Sequence, residues 1–130
     1  MKIHHVGYLV KDIGKSSDQF LNLGYVIEKD AVYDEYRDAD ISFLSGDGYR
    51  IELVSPHKTS DIYPLLKKYG NSPYHICYVT DDIVRSIDEL KGKGYLAFTP
   101  IQPAPAIGED AKVAFLSHIR MGMIELVEEN

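Results

Sequence analysis

The sequence predicts an α+β fold made of two tandem βαβββ modules, and three observations support this prediction. The chain contains an internal repeat, each repeat opens with a strand followed by a helix, and three β-rich stretches follow each helix. Eight of the 21 residues in 5–25 are identical to their counterparts in 75–95. The identical pairs are His5/His75, Tyr8/Tyr78, Asp12/Asp82, Ile13/Ile83, Ser16/Ser86, Asp18/Asp88, Gly24/Gly94 and Tyr25/Tyr95. The tetrapeptide Ile-Glu-Leu-Val closes both halves, at residues 51–54 and 124–127.

The length of 130 residues supports one domain, residues 1–130, in place of two that fold independently. We expect module 1 at about residues 1–56, a linker at about 57–73 and module 2 at about 74–130. If the sheet of each module curls and the two modules pair, one set of strand faces lines a cup. The predicted fold is a curved, cup-like mixed β-sheet with the helices outside.

In the first module, Asp12 is a suitable helix N-cap and Gly24 a suitable helix terminator. Gly46-Asp47-Gly48 is typical of a tight hairpin turn. The predicted elements are a strand at about 2–10, a helix at about 13–22, and strands at about 25–33, 39–45 and 48–55.

In the second module, Ile83, Ile87 and Leu90 recur at helical spacing, which predicts a helix with one buried stripe. The predicted elements are a strand at about 74–80, a helix at about 83–92, and strands at about 95–99, 111–117 and 122–128. We also expect a short helix at 65–69 inside the linker and a loop at 103–108.

Composition narrows the classes of function. With 14 Lys and Arg against 20 Asp and Glu, the formal net charge is −6, which argues against a nucleic-acid partner. The lone Cys77 cannot form an internal disulfide, and a lone cysteine is typical of proteins from a reducing compartment. No apolar run is long enough to span a bilayer, and the N-terminus has no signal-peptide pattern. We therefore expect a cytoplasmic protein without a membrane partner.

Four polar residues interrupt apolar strands: His5 and Glu52 in the first half, His75 and Glu125 in the second. Taken singly, each histidine is consistent with a packed, hydrogen-bonded ring, and each glutamate with a solvated strand face. The same His and Glu recur in both halves, however, and a buried carboxylate needs a cation or hydrogen bonds.

If one set of strand faces lines the cup, a pseudo-two-fold axis brings the four side chains together. Imidazoles and carboxylates suit one divalent metal ion, with Ni²⁺, Co²⁺ or Zn²⁺ favoured and Mn²⁺ or Fe²⁺ as alternatives. Strand alternation also places Asp40 and Ser42 on this face, opposite Ile41 and Phe43. His57 is expected in a solvent-exposed loop.

The segments His-Val-Gly-Tyr-Leu-Val-Lys-Asp-Ile (5–13) and His-Ile-Cys-Tyr-Val-Thr-Asp-Asp-Ile (75–83) resemble the vicinal oxygen chelate superfamily, which includes glyoxalase I and methylmalonyl-CoA epimerase. The paired Ile-Glu-Leu-Val strands and Ala-Lys-Val-Ala-Phe-Leu (111–116) extend the resemblance over nearly the whole chain. It implies one divalent metal ion, whose ligands fall on His5, Glu52, His75 and Glu125. It also implies a homodimer that acts on a small molecule.

The resemblance implies an enzyme that moves a proton α to a carbonyl through a metal-bound enediolate. A glyoxalase I-like enzyme, a lactoylglutathione lyase, takes a thiohemiacetal and uses Glu125 or Glu52 as the base. An epimerase-like racemase takes an acyl thioester and adds a carboxylate on the third strand, which falls on Asp40. A third alternative is a non-catalytic small-molecule-binding or antibiotic-resistance protein.

The last hairpin, residues 117–122, lacks the lysine of the epimerases, and Arg120 alone offers a cation to coenzyme A phosphates there. This departure favours the glyoxalase-like reading slightly. The residues leave open the physiological substrate, the metal, the role of Asp40, and whether the site forms within one chain or across two.

Overall fold

The structure is a computed structural model that describes residues 1–129, and this part of the chain contains nine strands and three helices. They are β1 (Ile3–Leu9), α1 (Ile13–Asn22), β2 (Val26–Asp34), β3 (Ala39–Gly46), β4 (Tyr49–Pro56), α2 (Tyr63–Tyr69), β5 (Ser72–Val79), α3 (Ile83–Lys91), β6 (Leu96–Ala97), β7 (Gln102–Pro103), β8 (Lys112–His118) and β9 (Gly122–Glu128). None of the three helices is long and apolar enough to cross a bilayer.

The chain divides into two compact units. We call residues His5–Tyr74 the N-terminal unit, and Met1–His4 with the described residues from His75 onward the C-terminal unit. Each unit contains a strand, a helix and further strands in the predicted order, so the predicted α+β class is confirmed. Strand pairing is mixed within each unit, because β1–β4 and β5–β9 are parallel while the other pairs are antiparallel.

The sheet of the N-terminal unit has the strand order β2-β3-β4-β1. Helix α1 covers one face of this sheet, which we call the helix face. Leu44, Ile51 and Leu53 are buried there, with Ile13 and Phe20 of α1 packed against them. The opposite face carries the side chain of Glu52, because neighbouring residues of a strand point to opposite sides.

The sheet of the C-terminal unit has the strand order β5-β9-β8-β6, with β7 also paired to β8. The stripe predicted on α3 is confirmed: Ile83, Ile87 and Leu90 contact one buried cluster. The sheet residues of that cluster are Ala114, Leu116, Ile124 and Leu126. Glu125 therefore points to the face away from α3.

The predicted helix boundaries have the expected chemistry. Asp12 and Asp82 accept hydrogen bonds from the backbone N–H of Lys15 and Arg85, each at 3.0 Å. Asp47 and Gly48 have φ values of 50° and 83° in the hairpin between β3 and β4. Two positive φ values are typical of the turns whose twist matches that of the flanking strands.

The second strand of module 2 is shorter than predicted. Residues 95–99 were expected to be extended, and only Leu96–Ala97 is a strand. Both Phe98 and Thr99 donate their N–H groups to the carbonyl of Phe115, so the ladder is irregular at that point. Pro100 follows and cannot donate to a ladder, which ends the strand. Pairing with β8 resumes at β7, which overlaps the predicted loop at 103–108 only at Pro103; the rest of that loop is free of strand and helix, as predicted.

We expect Asp82→Ala to lower the free energy of unfolding by about 1 kcal/mol, because one N–H group of α3 then loses its acceptor. Denaturant unfolding followed by circular dichroism measures the change. Asp81→Ala, at the exposed neighbouring position, is the matched control and should have little effect. Equal losses for the two variants would contradict the capping role of Asp82.

Candidate metal centre

A buried histidine and a buried glutamate face each other in the N-terminal unit. The parallel register of β1 and β4 pairs Gly7 with Glu52, so His5, two residues earlier in β1, points to the same face as Glu52. The Nε2 atom of His5 lies 3.3 Å from Oε1 of Glu52. The two residues are only 1% and 6% exposed.

The same arrangement occurs in the C-terminal unit. The register of β5 and β9 pairs Cys77 with Glu125, and His75 lies two residues before Cys77. The Nε2 atom of His75 lies 3.1 Å from Oε1 of Glu125, and both residues are buried. The structure therefore joins each predicted ligand to its partner inside its own unit.

The surroundings of both carboxylates are apolar. In the N-terminal unit, Phe43 is the register partner of Glu52, and Ile41 and Val54 share its face. In the C-terminal unit, Cys77, Val113 and Val127 belong to one buried cluster on the face of Glu125. A carboxylate buried among such groups is costly unless a cation is close to it.

The donor set fits a transition-metal ion. Imidazole nitrogens and carboxylate oxygens are ligands of Zn²⁺, Ni²⁺, Co²⁺ and related ions, and such an ion would supply the positive charge that both carboxylates need. Each unit offers one donor of each kind, 3.1–3.3 Å apart. The residues present are therefore compatible with a divalent metal ion.

Each histidine ring also contacts a phenylalanine that was not among the predicted site residues. The ring centroids of His5 and Phe43 are 5.4 Å apart, and those of His75 and Phe115 are 5.0 Å apart. Both contacts are edge-to-face, with interplanar angles of 74° and 89°. The repeat held the signal for them, because Phe-Leu-Ser occurs at residues 43–45 and again at 115–117.

The prediction that the side chain of Asp40 lies on the same face as Glu52 is wrong. Asp40 pairs with Ser55, whereas Ile41 and Phe43 pair with Val54 and Glu52. Asp40 therefore points away from the face of Glu52. The prediction failed because it treated apolar Ile41 and Phe43 as residues of the helix layer, while both faces of this sheet are apolar.

Asp40 instead belongs to a polar cluster at the end of β4. Its Oδ1 atom lies 3.1 Å from Nε2 of His57, which is in an exposed loop as predicted. Neighbouring Asp38 accepts hydrogen bonds from the hydroxyl groups of Thr59 and Tyr33. These two bonds, that of Thr59 first, lower the pKa of Asp38 below the usual value. The cluster joins the β2–β3 turn to the loop after β4.

This lowered pKa predicts a pH-dependent stability. A carboxylate with a lowered folded-state pKa stabilises the fold above its unfolded-state pKa, and the stabilisation disappears as the pH falls through the folded-state value. We expect Asp38→Asn to lower Tm at pH 7 and the difference from wild type to narrow below about pH 4. Calorimetry across this pH range measures both effects.

Asparagine is a suitable replacement because it tolerates the left-handed backbone of Asp38, whose φ is 52°. Asp47→Asn, at an exposed turn position with φ of 50°, is the matched control and should change Tm little at any pH. A constant Tm difference for Asp38→Asn across all pH values would refute the assigned role.

Several solved structures are similar in fold to nearly the whole of this chain. A hypothetical protein from Bacillus halodurans C-125 is 25% identical, with a TM-score of 0.86 over 99% of this chain and 94% of the other. A variant of Streptomyces coelicolor methylmalonyl-CoA epimerase, in complex with 2-nitronate-propionyl-CoA, is 19% identical, with a TM-score of 0.84 over 99% and 94%. A methylmalonyl-CoA epimerase in complex with methylmalonyl-CoA and NH4⁺ is 20% identical, with a TM-score of 0.83 over 98% and 94%.

Comparison with curated proteins gives no match. The sequence pattern of one family, described as the glyoxalase/bleomycin resistance protein/dioxygenase superfamily, matches residues 4–115. This span includes parts of both units and three of the four predicted ligands: His5, Glu52 and His75. The resemblance seen in the sequence is thus confirmed, and the chain belongs to the glyoxalase/bleomycin resistance protein/dioxygenase superfamily.

Proposed function

We propose that this protein is a metal-dependent enzyme that moves a proton α to a carbonyl group. His5, Glu52, His75 and Glu125 together hold its single divalent ion. One observation carries the proposal: a buried His–Glu pair is present in each unit, at repeat-related positions and with nearly equal Nε2–Oε1 distances of 3.3 and 3.1 Å. Superfamily members commonly bind a divalent metal, which supports the same conclusion.

Two kinds of donor argue for a borderline ion such as Ni²⁺, Co²⁺ or Zn²⁺, since hard ions such as Mg²⁺ prefer oxygen ligands alone. When bound, the ion acts as a Lewis acid that stabilises negative charge developing on a substrate oxygen. The apolar residues around Glu52 and Glu125 keep water away from the reacting groups, which strengthens electrostatic interactions in the site.

The carboxylates have a second role beyond binding the ion. Glu125 is our first candidate for the general base that removes the proton α to the carbonyl, with Glu52 as the second. A carboxylate can accept this proton and return it to the neighbouring carbon, which is the net isomerisation. His75 and His5 keep their imidazoles beside these carboxylates.

The face of Asp40 favours a glyoxalase I-like reaction, on a thiohemiacetal of a small thiol. An epimerase-like reaction requires a further carboxylate on the third strand, and the side chains of β3 on the face of Glu52 include Ile41 and Phe43. Asp40 lies on the other face, beside His57.

Epimerisation of an acyl-CoA thioester is the second candidate reaction. Two of the structural neighbours are methylmalonyl-CoA epimerases with acyl-CoA ligands bound, and they share this fold over nearly all of the chain. The homodimer implied by the family resemblance stays a prediction, as does the cytoplasmic location.

The metal-free protein should bind one Co²⁺ or Ni²⁺ per chain, and His75→Ala should weaken that binding by more than about tenfold, because even residues that only support a ligand have effects of this size. Calorimetric titration with each ion measures both quantities. His57→Ala is the matched control, since His57 lies in the polar cluster with Asp40, and should retain the wild-type affinity. Equal affinities in all three proteins would refute the ligand assignment.

Glu125→Gln should reduce turnover by about 10²-fold to 10⁴-fold, the range supplied by a positioned general base. Formation of lactoylglutathione and epimerisation of 2-methylmalonyl-CoA are assayed side by side with the metal-loaded protein. Activity in one assay identifies the reaction. Inactivity of a metal-loaded wild type in both favours the non-catalytic binding protein, and full activity of Glu125→Gln would show that the base is elsewhere.

A further inference from the structure

We propose that Phe43 and Phe115 are positioning residues that orient the imidazoles of His5 and His75 for metal binding. This inference rests on the proposed function, because it assumes that both histidines are ligands. It adds one residue from each unit whose side chain has no donor atom of its own.

In the N-terminal unit the three residues come from three successive strands, in the order β3-β4-β1. Phe43 of β3 is the register partner of Glu52 on β4, and His5 of β1 shares their face. The rings of Phe43 and His5 contact each other although β4 lies between their strands, with centroids 5.4 Å apart. The imidazole of His5 therefore contacts the carboxylate of Glu52 through Nε2 and the ring of Phe43 with an edge-to-face geometry.

The C-terminal unit repeats this arrangement on β8-β9-β5. Phe115 is the register partner of Glu125, and its centroid lies 5.0 Å from that of His75. Core packing alone requires an apolar residue of the right volume at each position. It does not require the same aromatic residue, in the same edge-to-face contact with a histidine, in both units.

Edge-to-face contact restrains rotation of the imidazole about its bond to Cβ. Aromatic pairs prefer this geometry because the positive edge of one ring meets the negative face of the other. A phenylalanine ring forms no strong hydrogen bond, so it restrains the histidine without competing for either ring nitrogen. The Nε2 atom therefore keeps its direction toward the carboxylate, which is where a shared ion would bind.

Both phenylalanines are themselves buried, at 3% exposure for Phe43 and 7% for Phe115. Each is the register partner of one of the two glutamates on the neighbouring strand, and so adds apolar surface beside a buried carboxylate. A poorly hydrated carboxylate gains more from a nearby cation. The rings should therefore raise metal affinity in two ways: they restrain the imidazoles, and they reduce the hydration of the carboxylates.

The test compares Phe43→Leu and Phe115→Leu with Phe20→Leu. Phe20 makes the same type of edge-to-face contact, with Tyr8 at 5.4 Å and Tyr25 at 5.3 Å, but on the helix face. Co²⁺ affinity is measured by competition with a chelator, and the visible spectrum of bound Co²⁺ reports the ligand geometry. Thermal unfolding of each metal-free variant shows that it is folded.

We expect Phe43→Leu and Phe115→Leu each to weaken Co²⁺ binding by about twofold to tenfold, the range of an aromatic pair, and to change the Co²⁺ spectrum. Phe20→Leu should alter thermal stability while leaving the affinity and the spectrum unchanged. Turnover of the two site variants should recover at saturating Co²⁺, which loss of structure alone would not produce.

Wild-type affinity in both site variants, or an equal loss in Phe20→Leu, would overturn the positioning role and leave the proposed metal site standing. A wild type that binds no Co²⁺ or Ni²⁺ would overturn the proposed function and this inference with it. If one site variant fails to fold, the other, in the second unit, decides the question.

Discussion

Two carboxylates are buried on apolar sheet faces, and this burial must be balanced by their surroundings. Glu52 and Glu125 are removed from water by neighbours that cannot solvate them, and an isolated charge in such a place is unstable. Each has a histidine within 3.3 Å, and a divalent ion would neutralise the remaining negative charge. A buried His–Glu pair contributes little to stability compared with an apolar pair. Its presence in both units is therefore better explained by function than by stability.

Parallel pairing of the first and last strands of each unit creates the geometry. In β1 with β4, and in β5 with β9, the register places histidine and glutamate on one face, while the next residues along the strands pack under a helix. The helix side of each unit contains a buried apolar cluster. The opposite side can then carry polar side chains without loss of the fold. One strand pair thus packs against a helix on one face and carries the proposed metal ligands on the other.

Much of this fold could be predicted because its signals are local or repeated. Caps, turn glycines and alternating apolar residues act over a few residues, and the Asp12 cap and the Gly24 terminator recur in the second half as Asp82 and Gly94. The shortened strand at Leu96–Ala97 was less accessible, because its end depends on the irregular hydrogen bonds to Phe115 as well as on Pro100. The His and Glu residues of the site were visible as polar interruptions of apolar strands.

The duplication, the order of elements and the four His and Glu residues could all be recognised in the sequence. The His and Glu residues were recognisable because polar residues in apolar strands are unusual, and here they occur at matched positions in both halves. The sequence did not determine the face to which Asp40 points or the contacts of Phe43 and Phe115. Alternation sorts residues into two sets but does not say which set meets the helix, and in a sheet that is apolar on both sides hydrophobicity does not decide. That choice came from the register of the β3–β4 and β8–β9 hairpins, which backbone hydrogen bonds between the paired strands fix.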